Sequence, residues 1–256
     1  MLLFNIILFT FLGSVVSLVG GIILLYKQKF TLKISHLLVS FAAGTLLGTA
    51  FFDLLPEALK AFDSGPTHKS GNIFLWVLVG ILSFFLFERF IHWFHYHGDE
   101  ETGQAKGEPA IPLIIFGDSL HNFIDGVVIA GTFLVSVPLG IITALAVGAH
   151  EIPQEIGDFA ILLDKGLSAK KVLIFNIASA LTAMVGAILM FVLREKIAGF
   201  LPVFLSLTAG FFIYIASSDL IPEIHHEKRK GFALYETILL LLGVLVVMML
   251  VSFLEK

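Results

Sequence analysis

The chain has 256 residues, of which 57% are hydrophobic and only 14% charged, with a mean hydropathy of +0.97. An ordinary soluble domain carries about 25% charged residues, so a water-soluble globule is excluded, as is a disordered chain, which needs low hydropathy and high charge. The net charge of −4 gives no footing for nucleic-acid binding, and the absence of cysteine excludes disulfides and thiolate metal sites.

A membrane-spanning helix needs about 20 apolar residues. Eight apolar stretches meet that need, near 2–26, 34–59, 72–95, 111–135, 138–163, 170–193, 200–223 and 233–254. The expectation is an all-α polytopic membrane protein with eight spans, built as a single transmembrane domain over 1–256 in the lipid bilayer. The first stretch has no Lys or Arg before Lys27, so it reads as a retained helix rather than a signal peptide. Of the 16 Lys and Arg, eleven fall in the breaks after stretches 1, 3, 5 and 7. By the positive-inside rule those breaks are cytoplasmic and both termini are not.

The second and seventh stretches match without gaps at an offset of 166. Ala43, Gly44, Ala50, Asp53, Leu54, Pro56 and Glu57 correspond to Ala209, Gly210, Ala216, Asp219, Leu220, Pro222 and Glu223. The two helices run in opposite directions in this orientation, which is the mark of an inverted repeat. The expected arrangement is helices 1–3 against 6–8, with 4 and 5 between them.

Those central helices hold what a bilayer excludes. The fourth stretch contains Asp118, His121, Asn122 and Asp125; the fifth contains His150, Glu151, Gln154, Glu155 and Asp158. At about 100° per residue the first set falls in an arc of about 100° and the second in about 140°. Neither run contains a Lys or Arg, so protons or bound cations are left to neutralise the acids. Facing helices with ligands one turn apart build metal sites. Imidazole, carboxylate and carboxamide without sulfur suit Zn, Fe(II), Mn or Co and disfavour Cu(I). Pro153 frees the carbonyl of Ala149, a break tolerated where backbone lines a cavity.

These residues resemble the ZIP family of divalent-metal transporters. His121-Asn-Phe-Ile-Asp-Gly126 resembles the helix-4 motif HNxxDG, and residues 150–162 are similar to the LIV-1 branch motif HEIPHEIGDFAIL at twelve of thirteen positions. The resemblance implies the 3+2+3 inverted-repeat fold and import of divalent ions toward the cytoplasm. Zn(II) is the first expectation, with Fe(II), Mn(II), Co(II) and Cd(II) as related ions and no organic cofactor. It implies a binuclear site: His121, Asp125, His150 and Gln154 on one side, and Asn122, Asp125 and Glu151 on the other. Asn176 is the candidate from helix 6. It further implies a homodimer and helices 1, 4, 5 and 6 moving against 2, 3, 7 and 8. The departure is Gln154, where the motif has His, which bears on metal selectivity. Gln154 also breaks the H-E-x-x-H pattern of zinc peptidases, so no enzymatic activity is expected. The alternative function is a membrane metal receptor or sensor that binds without flux. The compact form suggests the plasma (inner) membrane of a prokaryote.

Further out, Asp53 and Glu57 near the outer end of helix 2 read as a cation entrance. Asp219, Glu223, His226 and Glu227 near the inner end of helix 7 read as an exit, with His225 and His226 receiving released metal. His92, His95 and His97 form a candidate sensing loop after helix 3, whereas His36 and His68 read as surface residues.

Overall fold

A computed structural model describes residues 1–64, 72–100, 110–225 and 231–254. The described residues form helices and short connections, with no strand. In chain order the rods are α1 (Leu2–Lys27), α2 (Ile34–Phe62), α3 (Ile73–Glu100), α4 (Ala110–Val135), α5 (Val137–Asp164), α6 (Ala169–Val192), α7 (Arg194–His225) and α8 (Phe232–Leu254). Seven of the eight expected stretches are long and apolar enough to cross a membrane. The exception is α5. It has the required length, 28 residues, but its polar run from His150 to Asp158 lowers its hydropathy below that of a lipid-facing helix.

The connections follow from local chemistry. At Lys27 the backbone leaves helical geometry (φ −138°, ψ 52°), which separates α1 from α2. Between α4 and α5 a single residue, Ser136, is extended, and its hydroxyl accepts the amide of Leu139 at 3.2 Å. Pro138 stands in the first turn, where its missing N–H costs nothing. Gly166 ends α5 at φ 88°, a left-handed conformation that suits glycine. Ser168 then caps α6 by accepting from Lys171 N.

The segments related by the 166-residue offset carry the same irregularity. A π turn occupies Ala50–Leu54 in α2 and Ile215–Leu220 in α7, and Ala216 and Leu220 are the counterparts of Ala50 and Leu54. Their packing also corresponds. A Cβ placed on Gly44 would lie 2.0 Å from the carbonyl oxygen of Leu240 in α8, and one on Gly210 would lie 2.3 Å from that of Val77 in α3. Close approach also joins α4 to α6, where a Cβ on Gly126 would lie 1.8 Å from the Ala183 oxygen. On α1, a Cβ on Gly20 would lie 2.9 Å from the Ile152 oxygen of α5. Without a hydrophobic driving force between helices in lipid, such backbone-level packing supplies the attraction.

Two apolar clusters fill the interior. One joins Leu46, Ala50 and Leu54 of α2 to Val128, Ile129 and Phe133 of α4, Leu139, Ala144 and Val147 of α5, and Leu205 and Phe212 of α7. The other joins Leu18 and Leu24 of α1 to Ile156, Phe159 and Leu162 of α5 and Val172 and Ala180 of α6. On α5 the gap between them is the stretch from His150 to Glu155. The outward sides of α3 and α8 expose Leu82, Leu86, Leu241 and Met249, as lipid-facing helices do.

Gly44→Ala and Gly210→Ala should each lower stability by about 1–3 kcal/mol through overpacking. Gly199→Ala, whose added methyl meets nothing within 4 Å, should change little. Thermal unfolding of the three variants in one detergent checks the contrast.

Candidate metal centre

Four side chains converge where α4 and α5 face each other: His121, Asp125, His150 and Glu151, with one donor atom from each lying within 4.8 Å of all the others. The i,i+4 spacing of His121 and Asp125 places them one turn apart on α4, while the adjacent His150 and Glu151 project from α5. His121 Nε2 is 3.4 Å from His150 Nε2, 3.5 Å from a Glu151 oxygen and 3.8 Å from an Asp125 oxygen. His150 Nε2 is 3.3 Å from Asp125 and 3.7 Å from Glu151. A tetrahedral Zn(II) with bonds of about 2.0–2.1 Å keeps its donor atoms about 3.3–3.4 Å apart. The five separations cluster just at and above that edge length, so one small cation at the centre would meet all four donors.

The surroundings aim the donors inward. His150 Nδ1 lies 3.2 Å from the Ala146 carbonyl oxygen, one turn back on its own helix. A carbonyl only accepts, so Nδ1 carries the proton and Nε2 presents its lone pair to the cluster. The His121 ring is held between the edges of Phe84 (5.8 Å, 88°) and the His150 ring (5.6 Å, 83°). Asp125, His150 and Glu151 are almost fully buried, yet Asp125 Oδ2 and both Glu151 oxygens have no hydrogen-bond partner. Burying carboxylates without partners is costly, and a cation at the centre is the partner their positions fit.

The other sequence-derived candidates fall into distinct places. Gln154, one turn beyond His150, is half-buried. Asn122 is fully buried, and its carboxamide is engaged at both ends. Oδ1 accepts from Ser14 Oγ of α1 at 2.6 Å, and Nδ2 donates to Asp118 Oδ1 at 2.9 Å. At most one lone pair of Oδ1 remains for an ion. Asp118, Glu155 and Asp158 lie within electrostatic reach of one another, outside the four-residue cluster. Asn176 is buried in α6, where Nδ2 donates to Val172 O at 2.8 Å.

Asp53 is buried within the π turn of α2, whereas Glu57 pairs with Lys60 at 3.2 Å near the surface. Asp219 stands in the π turn of α7, within electrostatic reach of both Glu88 and His150, and Glu223 is exposed one turn on. His225 is exposed and lines a cavity with Glu236 and Thr237 of α8. His36 is half-buried rather than a surface residue. The side chains of His92, His95 and His97, and the residues His68, His226 and Glu227, lie outside the described residues.

Sequence reasoning misses Ser14, Glu88 and Tyr214. Tyr214 donates its hydroxyl to Glu88 at 2.5 Å, tying α7 to α3, and Phe84, one turn before Glu88, packs on both Tyr214 and His121. The available signal is Glu88 itself, an acid inside an apolar stretch, which its basic neighbour Arg89 masks.

Comparison with known proteins shows the family. The ZIP zinc transporter family profile matches residues 2–112 and 105–251. Zinc transporter ZIP13 of Pongo abelii is 33% identical over 231 residues, covering 85% of this chain and 67% of the relative. Zinc transporter ZIP4 of Mus musculus is 31% identical over 281 residues, covering 83% of this chain but 42% of the relative. The Drosophila melanogaster zinc transporter ZIP13 homolog is 29% identical, covering 92% of this chain and 86% of that protein. The matches span nearly the whole helical array, including the helices that carry the four-donor cluster, and the chain therefore belongs to the ZIP zinc transporter family.

Proposed function

We propose that the protein carries Zn(II), or a related divalent ion such as Fe(II), Mn(II), Co(II) or Cd(II), across the membrane toward the cytoplasm. The observation that carries this reading is the cluster of His121, Asp125, His150 and Glu151. Its donor separations match a tetrahedral ion, and it sits in the gap between two apolar clusters. An ion entering that layer sheds water, and two imidazoles and two carboxylates replace it. Gln154 offers a further, neutral oxygen from the next turn of α5. No catalytic step on a bound substrate belongs to this reading.

Alternating exposure of the site needs two bodies that move past each other. The close backbone approaches of the glycines support a division. They join α1 to α5 and α4 to α6 within one group, and α2 to α8 and α3 to α7 within the other. Between the groups, Gly131 of α4 meets the Phe204 side chain rather than backbone. Helices 1, 4, 5 and 6 would then shift as a unit against helices 2, 3, 7 and 8, with 1–3 and 6–8 as inverted copies. The Lys and Arg bias puts both termini on the non-cytoplasmic side, Asp53 toward the entrance and Asp219 and Glu223 toward the exit. Two copies forming a homodimer are part of the same reading.

In proteoliposomes with an internal metal-sensitive dye, wild-type protein should give Zn(II) flux. His121→Ala, His150→Ala and Glu151→Ala should each cut it at least about tenfold without loss of membrane insertion. Wild-type flux in the histidine variants would sink the site assignment, whereas stoichiometric binding without flux in the parent would favour a receptor. Gln154→His adds an imidazole beside the cluster and should raise the preference for Zn(II) over Fe(II) and Mn(II). Unchanged ion ranking would remove Gln154 from the ligand set.

A further inference from the structure

Three carboxylates on the polar faces of α4 and α5 take no part in the four-donor cluster. Asp118 lies seven residues before Asp125, which is about 10 Å along the helix. Glu155 and Asp158 lie four and seven residues after Glu151. Because α4 and α5 run in opposite directions, both displacements lead the same way, toward the start of α4 and the end of α5. Glu155 is within electrostatic reach of Asp118 and Asp158 there, and Asp158 of Asp118, while Asp118 and Glu155 are also within reach of Glu151.

α6 closes the third side. It runs against α4, with Thr182 Oγ1 donating to Ser119 O at 2.5 Å, and presents Asn176 and Ser179 three residues apart on one face. The Ser179 side chain approaches Asp118. Asn176 Nδ2 is tied to its own helix through Val172 O, which fixes the amide and leaves Oδ1 over. A relay from α1 sets the remaining acid: Ser14 bonds to Asn122, and Asn122 bonds to Asp118.

What distinguishes this place from a mere group of acids is its unmet polar demand. Both oxygens of Glu155 and the Asn176 Oδ1 have no hydrogen-bond partner, and each of these residues is only 1% exposed. Buried acceptors of this kind are rare in native structures and call for a ligand or water. All the unmet atoms are oxygens, and no Lys or Arg lies on α4 or on α5.

The geometry points to a second cation station, formed by Asp118, Glu155, Asp158, Asn176 and Ser179, one to two helical turns from the histidine cluster. It would take a partly hydrated divalent ion. The inference rests on the transport reading above; it differs from the half-site expected of Asn122, Asp125 and Glu151 in its acids and takes over only the helix-6 candidate, Asn176. Among the described residues only the histidine cluster draws its donors within 4.8 Å, so at the second station water completes the shell. Oxygen-only donors hold a borderline metal such as Zn(II) less tightly than imidazole does. An ion passing from the nitrogen-containing cluster to this station therefore moves from a tight site to a looser one, as release requires.

Equilibrium dialysis of the purified full chain against Zn(II) tests it, with Co(II) absorption reporting ligand type. Wild type should bind in two classes, the tighter with nitrogen donors and the weaker with oxygen alone. Glu155→Gln and Asp158→Asn, which preserve side-chain shape, should weaken the second class at least about tenfold and leave the first, which also certifies folding. His150→Ala should do the reverse. A single class in wild type, or two classes unchanged by both acid variants, would overturn the second station. So would loss of both classes together in all three variants, because the acids and histidines would then act as one site. A wild-type protein that binds no metal would instead overturn the transport reading itself.

Discussion

The interior is organised by one electrostatic constraint: buried carboxylates with no Lys or Arg on the helices that carry them. α4 and α5 carry five acids on their polar faces, in and beside the layer between two apolar clusters, and neither helix contains a Lys or Arg. Isolated carboxylates in such a medium cost several kcal/mol each, so the arrangement is tolerable only with protons or metal ions for company. The histidine orientation, the Ser14–Asn122–Asp118 chain and the break between the two apolar clusters follow from that requirement. Each places or spaces a donor that would otherwise be a liability.

Much of this is legible in the amino-acid sequence alone. The polar faces of α4 and α5 stand out because a 3.6-residue period sorts their donors onto one side, and the four residues that converge are all among the candidates. The span count is nearly as legible. The α5 exception arises from the candidate site itself, since its polar run from His150 to Asp158 subtracts from hydropathy. Asn122 shows the limit of spacing arguments. Its place on the polar face is readable, but its engagement by Ser14 is not, because those residues are 108 positions apart. Likewise the Tyr214–Glu88 bond joins two helices whose contact no local pattern announces.

The glycines divide labour in a comparable way. They are scattered through the sequence without a motif that separates them, yet in the folded array their backbone contacts sort into two sets of helix pairs. Contact at the level of main-chain atoms leaves no room for a Cβ between the paired helices. Contact through side chains such as Phe204 can be remade as surfaces slide.

The paired π turns have a geometric consequence of their own. A π turn absorbs one extra residue, so the helix beyond it is rotated by about 100° relative to an unbroken α-helix. In α2 and α7 the acid stands inside the turn (Asp53, Asp219), beyond the glycine that docks on a neighbour (Gly44, Gly210). The docking face and the acid-bearing face can thereby be set independently on one continuous rod. Deleting a single residue within either turn would re-index the helix and swing the acid to another side, while the docking face stayed where it was.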